Sequence, residues 1–483
     1  MAVARKIAYN IVFNSLLKVV TTVALSLLSI RLITGYLGKE GFGDYTTTLA
    51  FFAFFSAIAD LGISAVTVRE ISREGADERH ILSRVVSLRL ISSVGLFLLA
   101  PVVLFFFSYP LSVKLGIWIT VGAVIFSSFS LFLNGIFQKN IAMDKIALIE
   151  FFGKLFQVGA VFVVVSLNLG FLAIISTLLI SLVFNASLAF IMSRRYAKFS
   201  FIIDVEYWKK FLHQSLPLGA SALITFFYFK LDAILLSILQ GSGAVGIYGV
   251  AYKIIENLTF FPAMLAGLIL PLLAKSVFTD KKKFRDIADT TFRVFFIIIV
   301  PIIVGGIFLS ADIVNIVSGA GFEESGIVLE LLLLSLGFIF FGHYFNMMLI
   351  VANLQKKLMK MLIFVAIFNI SLNFVLIPRY SFFGAAIASV FTEMLVVILT
   401  SFLVYKFLDY KPSFLKISRV LMAGFLMGLF LFSFPDIPFL VGGFGSLGIY
   451  AVGLWLTRSV TSQEITELFS KKSPAFVTRD ETL

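Results

Sequence analysis

The sequence predicts an all-α polytopic membrane protein of about 14 transmembrane helices. It places two six-helix lobes in a parallel pseudo-repeat around a central cavity, plus two extra C-terminal helices. Three observations carry this. The 483 residues are 60% apolar and only 14% charged, with a mean hydropathy of +1.04; soluble domains run nearer about 45–50% apolar and about 25% charged. Lys and Arg alternate between successive loops. One Gly/Tyr pattern recurs at a fixed offset. The long unbroken apolar runs exclude a β-barrel, whose strands alternate over about 10 residues.

Taken in order, spans are expected at 9–33, 46–67, 82–107, 113–136, 147–167, 171–193 and 214–239. They continue at 245–273, 290–309, 328–352, 358–377, 382–405, 415–434 and 438–457. A helix needs about 20 apolar residues to cross a bilayer, and each run suffices. The first is too long for a signal-peptide core and has no small-residue cleavage site, so it stays a helix.

The loop charges test the count. Loops on one side carry 4 cations, Arg31, Lys39, Lys114 and Arg379, whereas the opposite loops carry 24. By the positive-inside rule the rich side is cytoplasmic. Both termini then lie in the cytoplasm, and the protein is expected in the cell (cytoplasmic) membrane. The formal charge of +12 is a property of these loops and implies no nucleic acid. The 281–285 basic run reads as an anchor to anionic membrane lipids. The longest external loop, about 310–327, leaves no room for an inserted domain, and the tail 458–483 is polar.

Function classes fall away next. The chain has no cysteine and 3 histidines, which removes disulfides, thiolate metal sites and cysteine nucleophiles and leaves no His-rich metal site. No Walker A motif is present. Gly443-Phe-Gly445-Ser-Leu-Gly448 matches a dinucleotide fingerprint but sits in a membrane hairpin without a βαβ unit, so it is rejected. Gly424 and Gly428 form a GxxxG read as helix packing. A membrane glycosyltransferase, polymerase or ligase needs a sizeable catalytic external loop, which is lacking. The chain is therefore read as a non-enzyme, with no catalytic residue and no cofactor.

The repeat comes from two loops. Gly38-Lys-Glu-Gly-Phe-Gly43-Asp-Tyr45 and Gly241-Ser-Gly-Ala-Val-Gly246-Ile-Tyr248 match at Gly38/Gly241, Gly43/Gly246 and Tyr45/Tyr248, all offset by 203 residues. The offset is six spans, and an even number preserves orientation, as in parallel transporter repeats. The competing explanation is that membrane-surface hairpins use Gly and Tyr in any case. On the repeat reading, residues 1–200 form an N-terminal lobe, 201–410 a C-terminal lobe, and 411–483 the last two helices and a cytoplasmic tail.

Charges inside spans are costly and normally face a cavity or a partner. The cations are Lys18, Arg89, Lys154, Lys230 and Lys253, with Arg31 at a helix end. The acids are Asp60, Asp232, Glu256 and Glu393. Lys253 and Glu256 share a face at i,i+3. Lys230 and Asp232 at i,i+2 do not, so Asp232 is free to reach the eighth span. Arg89 and Lys154 either line a cavity or snorkel to the inner headgroups. The group on the seventh and eighth spans is either a cavity or gate, or a structural ion-pair network. Tyr228, Tyr252, Asn369 and Asn373 are further polar candidates.

These residues resemble a family. The Gly38–Tyr45 loop, Asp60-Leu-Gly-Ile, Arg69-Glu-Ile-Ser-Arg73 and Tyr228-Phe-Lys-Leu-Asp232 look like those of Wzx-type polysaccharide-export flippases. So do Asn369-Ile-Ser-Leu-Asn373, Ile377-Pro378 and Gly384-Ala-Ala. This branch belongs to the multidrug/oligosaccharidyl-lipid/polysaccharide (MOP) exporter superfamily, and the resemblance spans roughly residues 5–410. It implies alternating access and a substrate oligosaccharide on a polyprenyl pyrophosphate or dolichyl phosphate carrier, moved from the cytoplasmic to the external leaflet for glycan assembly. The cationic set suits the anionic headgroup, and Tyr228 and Tyr252 suit stacking on sugars. Asp60, Asp232, Glu256 and Glu393 become candidates for a coupling ion, H+ or Na+, or for a gate. Polysaccharide polymerase machinery is an implied partner, and a monomer is expected because the cavity forms within one chain. The rivals are a cation-coupled multidrug antiporter, which the cationic set disfavours, and a lipid II flippase, which it does not separate.

Overall fold

A computed structural model describes residues 24–414, 417–457 and 459. Every regular element among them is a helix. In chain order these are α1 (Ser26–Asp60), α2 (Ile63–Ile71), α3 (Glu78–Phe105), α4 (Leu111–Lys139), α5 (Met143–Ser166), α6 (Phe171–Ser193), α7 (Val205–Leu239) and α8 (Ser242–Leu258). There follow α9 (Phe260–Ser276), α10 (Lys281–Phe308), α11 (Ser310–Ser318), α12 (Glu324–Val351), α13 (Gln355–Leu408), α14 (Ile417–Ser433) and α15 (Phe439–Leu456).

The protein is a multi-pass membrane protein, but the exact count of 14 spans is not reproduced. Among the described residues nine helices are long and apolar enough to cross a bilayer, or ten if the bent pair α1/α2 is one span. One reason is local. The 54-residue α13 covers two expected spans and leaves helical geometry at Ser381 (φ 51, ψ −132). A methyl group on Gly384 would lie 2.4 Å from the Leu376 carbonyl oxygen. In a straight helix, residues eight apart are about 12 Å apart along the axis, so the chain reverses here. Expected span 1 begins before the described residues. The rejected Gly443–Gly448 fingerprint lies inside α15.

Helix starts on the basic side use side-chain caps, which satisfy amide groups that the helix itself leaves bare. Asp77 accepts from His80 N at 3.0 Å, Asp204 from Tyr207 N at 3.0 Å, and Asp280 from Lys283 N at 2.9 Å. Asp204 also accepts from Arg84 Nε at 2.6 Å, and the Trp208 indole donates to the Arg84 carbonyl at 2.9 Å. The Arg84 hydrogen bond, helped by the Tyr207 amide, holds the Asp204 carboxyl below its usual range.

The chain forms two compact units. The first holds the described residues up to Asn257 with Val314–Val328 and Met359–Ala388; the second holds Leu258–Ile313, Leu329–Leu358 and the described residues from Ser389. In the first, Ile63, Val66, Leu82, Val85, Phe132 and Phe137 join α2, α3 and α4. Phe51, Phe55, Leu104, Ile117, Val121 and Phe226 join α1, α3, α4 and α7. In the second, Val300, Val420, Met427, Tyr450 and Leu454 join α10, α14 and α15. Gly424 serves that packing, because a methyl there would lie 2.4 Å from Val300 Cγ1. Large apolar side chains such as Phe105, Phe425 and Phe444 point outward, as a lipid environment permits.

The two loops of the sequence repeat meet inside the first unit. Gly38 (φ +66) and Gly241 (φ +82) both take the left-handed backbone open to glycine. A methyl on Gly43 would lie 1.7 Å from the Ser242 carbonyl oxygen, and one on Gly246 2.1 Å from that of Lys39. Lys39 and Ser242 are themselves 203 apart, so the two contacts are the same contact seen from either repeat. Tyr45 and Tyr248, the third matched pair, are both buried.

Candidate functional site

The site is built on the antiparallel pair α7 and α8, joined at Gly241. On α8, Tyr248, Tyr252 and Glu256 follow at intervals of four and so share one face. The chain on α7 presents Asp232 and Lys230 to that face in reverse order. Tyr248 Oη donates to Asp232 Oδ2 at 2.6 Å. Lys230 Nζ lies 4.8 Å from the centre of the Tyr252 ring, within cation–π range, and donates to Glu256 Oε1. Lys253 Nζ donates to the other oxygen, Oε2, at 2.7 Å.

Depth follows from the rise of about 1.5 Å per residue. Lys230 lies about 14 Å in from the end of α7 at Leu239, and Glu256 about 21 Å in from Ser242. The group therefore sits near the middle of a hydrocarbon layer about 30 Å thick. The side chains of Lys230, Lys253 and Glu256 are nevertheless 24%, 25% and 34% exposed. Charges at that depth are costly unless they face a cavity or a partner; these three face one another and stay partly open.

A third cation comes from α5. Lys154 donates to Gln157 Oε1 at 3.0 Å and interacts electrostatically with both Lys253 and Glu256. From α1, Tyr45 is in electrostatic reach of Lys253. Three helices thus bring three ammonium groups around one carboxylate, with Tyr45 of α1 and a second acid, Asp232, beside them; the cations exceed the acids by one. Asp232 is tied to Tyr248.

Arg89 and Asp60 form a separate node. The Arg89 guanidinium is fully buried and pairs with Asp60. It also donates to Ser64 Oγ at 2.5 Å and to the Ser128 carbonyl at 2.7 Å. It therefore ties together α1, α2, α3 and α4 where Leu61 and Gly62, both of positive φ, interrupt the helix. Arg31 sits elsewhere again, exposed and donating to the Asn315 carbonyl at 3.4 Å, against the C-terminal end of α11, where a cation is favourable.

Asn369 and Asn373 are buried on α13. The Asn373 amide donates to the Asn369 carbonyl at 3.0 Å and to its side-chain oxygen at 3.1 Å. Glu393 is buried on α13 within the second unit. Lys18 and the Tyr228 side chain lie outside the described residues. The structure thus brings together Lys154, Lys230, Lys253, Glu256, Asp232 and Tyr252 of the expected set. Arg89 with Asp60 forms its own node, and Arg31 meets the Asn315 carbonyl instead.

Two members were missed. Tyr45 carried a usable signal, being the repeat partner of Tyr248. Gln157 was visible only as a residue at i+3 from Lys154.

The family described as polysaccharide biosynthesis protein matches residues 7–277, more than half of the chain. The chain belongs to the polysaccharide biosynthesis protein family. Among relatives of this family member is the "Probable low-salt glycan biosynthesis flippase Agl15" of Haloferax volcanii. It is 23% identical over 421 residues, covering 84% of this chain and 86% of that protein. Another is the capsular polysaccharide biosynthesis protein CapF of Staphylococcus aureus, 24% identical over 277 residues, 55% of this chain and 68% of the relative. Among solved structures, the lipid II flippase MurJ in an inward closed conformation superposes with a TM-score of 0.74 at 18% identity. It covers 92% of this chain and 98% of that one. That likeness gives this chain the same fold as the lipid II flippase.

Proposed function

We propose that the protein is an alternating-access flippase. It moves an oligosaccharide linked to a polyprenyl (pyro)phosphate from the cytoplasmic to the external leaflet for glycan assembly. The observation that carries this reading is the convergence of Lys154, Lys230 and Lys253 on one carboxylate near mid-membrane. An excess of positive charge there suits an anionic headgroup and opposes a cationic drug. The Tyr252 ring beside Lys230 offers a face to a sugar. The family match and the relative named as a glycan flippase support the same substrate class.

The basic loops support a cytoplasmic-membrane location with both termini inside. The inside-negative potential then helps export, by about 2.3 kcal/mol per charge per 100 mV, or about 4–5 kcal/mol for a doubly charged headgroup. Asp232 and Glu256 are the acids at the site that could carry a coupling H+ or Na+. A polysaccharide polymerase would consume the product, and the site needs no second copy of the chain.

The test is transbilayer movement of a fluorescent polyprenyl-pyrophosphate oligosaccharide in proteoliposomes, with and without an imposed potential. Wild type should move it in a potential-sensitive way, and Lys230→Gln/Lys253→Gln should lose at least about tenfold in rate. Unchanged movement in that variant, or uptake of cationic dyes against an ion gradient, would overturn the reading.

A further inference from the structure

Glu256 holds two ammonium groups at once, one on each oxygen: Lys230 on Oε1 and Lys253 on Oε2 at 2.7 Å. Two non-bridging oxygens of a phosphate group would engage the same pair in the same way. We propose that Glu256 is a displaceable internal counter-ion, which occupies the anion position of the site and which the headgroup must replace. The inference rests on the reading of this cluster as the headgroup site.

Displacement is feasible because the Glu256 side chain is 34% exposed. A carboxylate that leaves the lysines is rehydrated in the cavity rather than stranded, so the cost is finite and the same for every ligand. What a ligand gains depends on its charge. Lys230 and Lys253 are shared with Glu256, while Lys154 gives its hydrogen bond to a neutral amide. A monoanion exchanges one negative charge for another and gains little. A dianion also engages the charge in excess.

The consequence is a threshold. The surrounding bilayer is full of singly charged phosphodiester headgroups, at concentrations no bare cationic site could ignore. With Glu256 in place these fail to displace it, and a diphosphate diester succeeds. The carboxylate is thus a specificity determinant that acts by competition, and the substrate class it selects is the doubly charged pyrophosphate linkage.

The experiment is calorimetric titration of the full chain in detergent with two soluble probes. One is a short-chain dialkyl pyrophosphate, carrying two charges; the other is a dialkyl phosphate, carrying one. Wild type should bind the first and not measurably the second. Glu256→Gln should bind the dianion about 10- to 100-fold tighter, the worth of a lost charge-assisted competitor, and should now bind the monoanion. Glu256→Ser removes the charge without adding an amide and should show the same gain, which separates the effect from any misfolding of one variant. The gain should vanish in a Lys230→Gln/Lys253→Gln background. Dianion binding that is unchanged or weaker in both Glu256 variants, while the lysine variant abolishes it, overturns the counter-ion role and leaves the headgroup site standing. If wild type binds neither probe and the lysine variant still transports, the headgroup reading falls and the counter-ion with it.

Discussion

The Arg89–Asp60 pair makes an asymmetric prediction. Arg89 is wholly buried, whereas the Asp60 side chain is 24% exposed. Asp60→Asn therefore leaves a guanidinium in the interior with no counter-charge from Asp60, facing the neutral oxygens of Ser64, Ser128 and the new amide. Breaking a buried pair in this way costs about 3–5 kcal/mol. Arg89→Gln removes the more expensive charge. Asp60 then keeps its link to the Ser64 amide at 3.3 Å and its share of water, so the loss should be nearer about 1–2 kcal/mol. The double variant carries no buried charge and should be more stable than Asp60→Asn alone, giving a coupling energy of about 2 kcal/mol. Thermal unfolding of the four proteins in one detergent, followed by tryptophan fluorescence, orders them. The expected order is wild type, then Arg89→Gln and the double variant, with Asp60→Asn last. If Asp60→Asn proves no worse than Arg89→Gln, or the two losses simply add, the pair is not the desolvated node described here.

Two more outcomes follow from features outside the cavity. Gly43→Ala drives a methyl into the Ser242 carbonyl at 1.7 Å, whereas Gly241→Ala meets nothing within 4 Å and bears only the left-handed backbone, about 1–2 kcal/mol. The first should abolish the yield of folded protein on size exclusion, and the second should only lower the melting temperature. At the basic side, the depressed Asp204 carboxyl stabilises the fold above its unfolded value, 3.8, and that contribution disappears as pH falls through the lower folded value. Asp204→Asn should flatten the acid limb of a stability–pH curve below pH 3.8; an unchanged limb would assign it to other carboxyls.

What could be read in the residues was whatever lies within one helix or repeats along the chain. The Lys253/Glu256 pair follows from i,i+3 spacing, and Tyr45 from its match to Tyr248. The expectation that Asp232 reaches the eighth span is met by Tyr248. Partners across helices were hidden, because depth along a span gives height but not azimuth. Arg89 and Asp60 fall in neighbouring expected spans, yet nothing in their spacing turned them toward each other. Arg31 was grouped with the cavity cations from its position at a helix end; it meets a carbonyl 284 residues away, which no local pattern reports. The turn at Ser381 was bracketed correctly by two spans. Its backbone reversal without a glycine at that position was not foreseeable from turn chemistry, since Gly384 supplies close approach instead.

The reciprocal contact of the two loops has a consequence for how such a chain can change. Where the repeats meet through side chains, as Phe226 does with Phe51 and Phe55, a change on one side can be offset on the other. At Gly43 and Gly246 each residue touches the backbone four positions before the other's place in the repeat. An enlargement on either side pushes the same two strands of main chain apart, and no shrinkage opposite can absorb it, because a glycine has nothing left to lose. The two positions therefore behave as a single locus with one permitted state, written twice in the sequence.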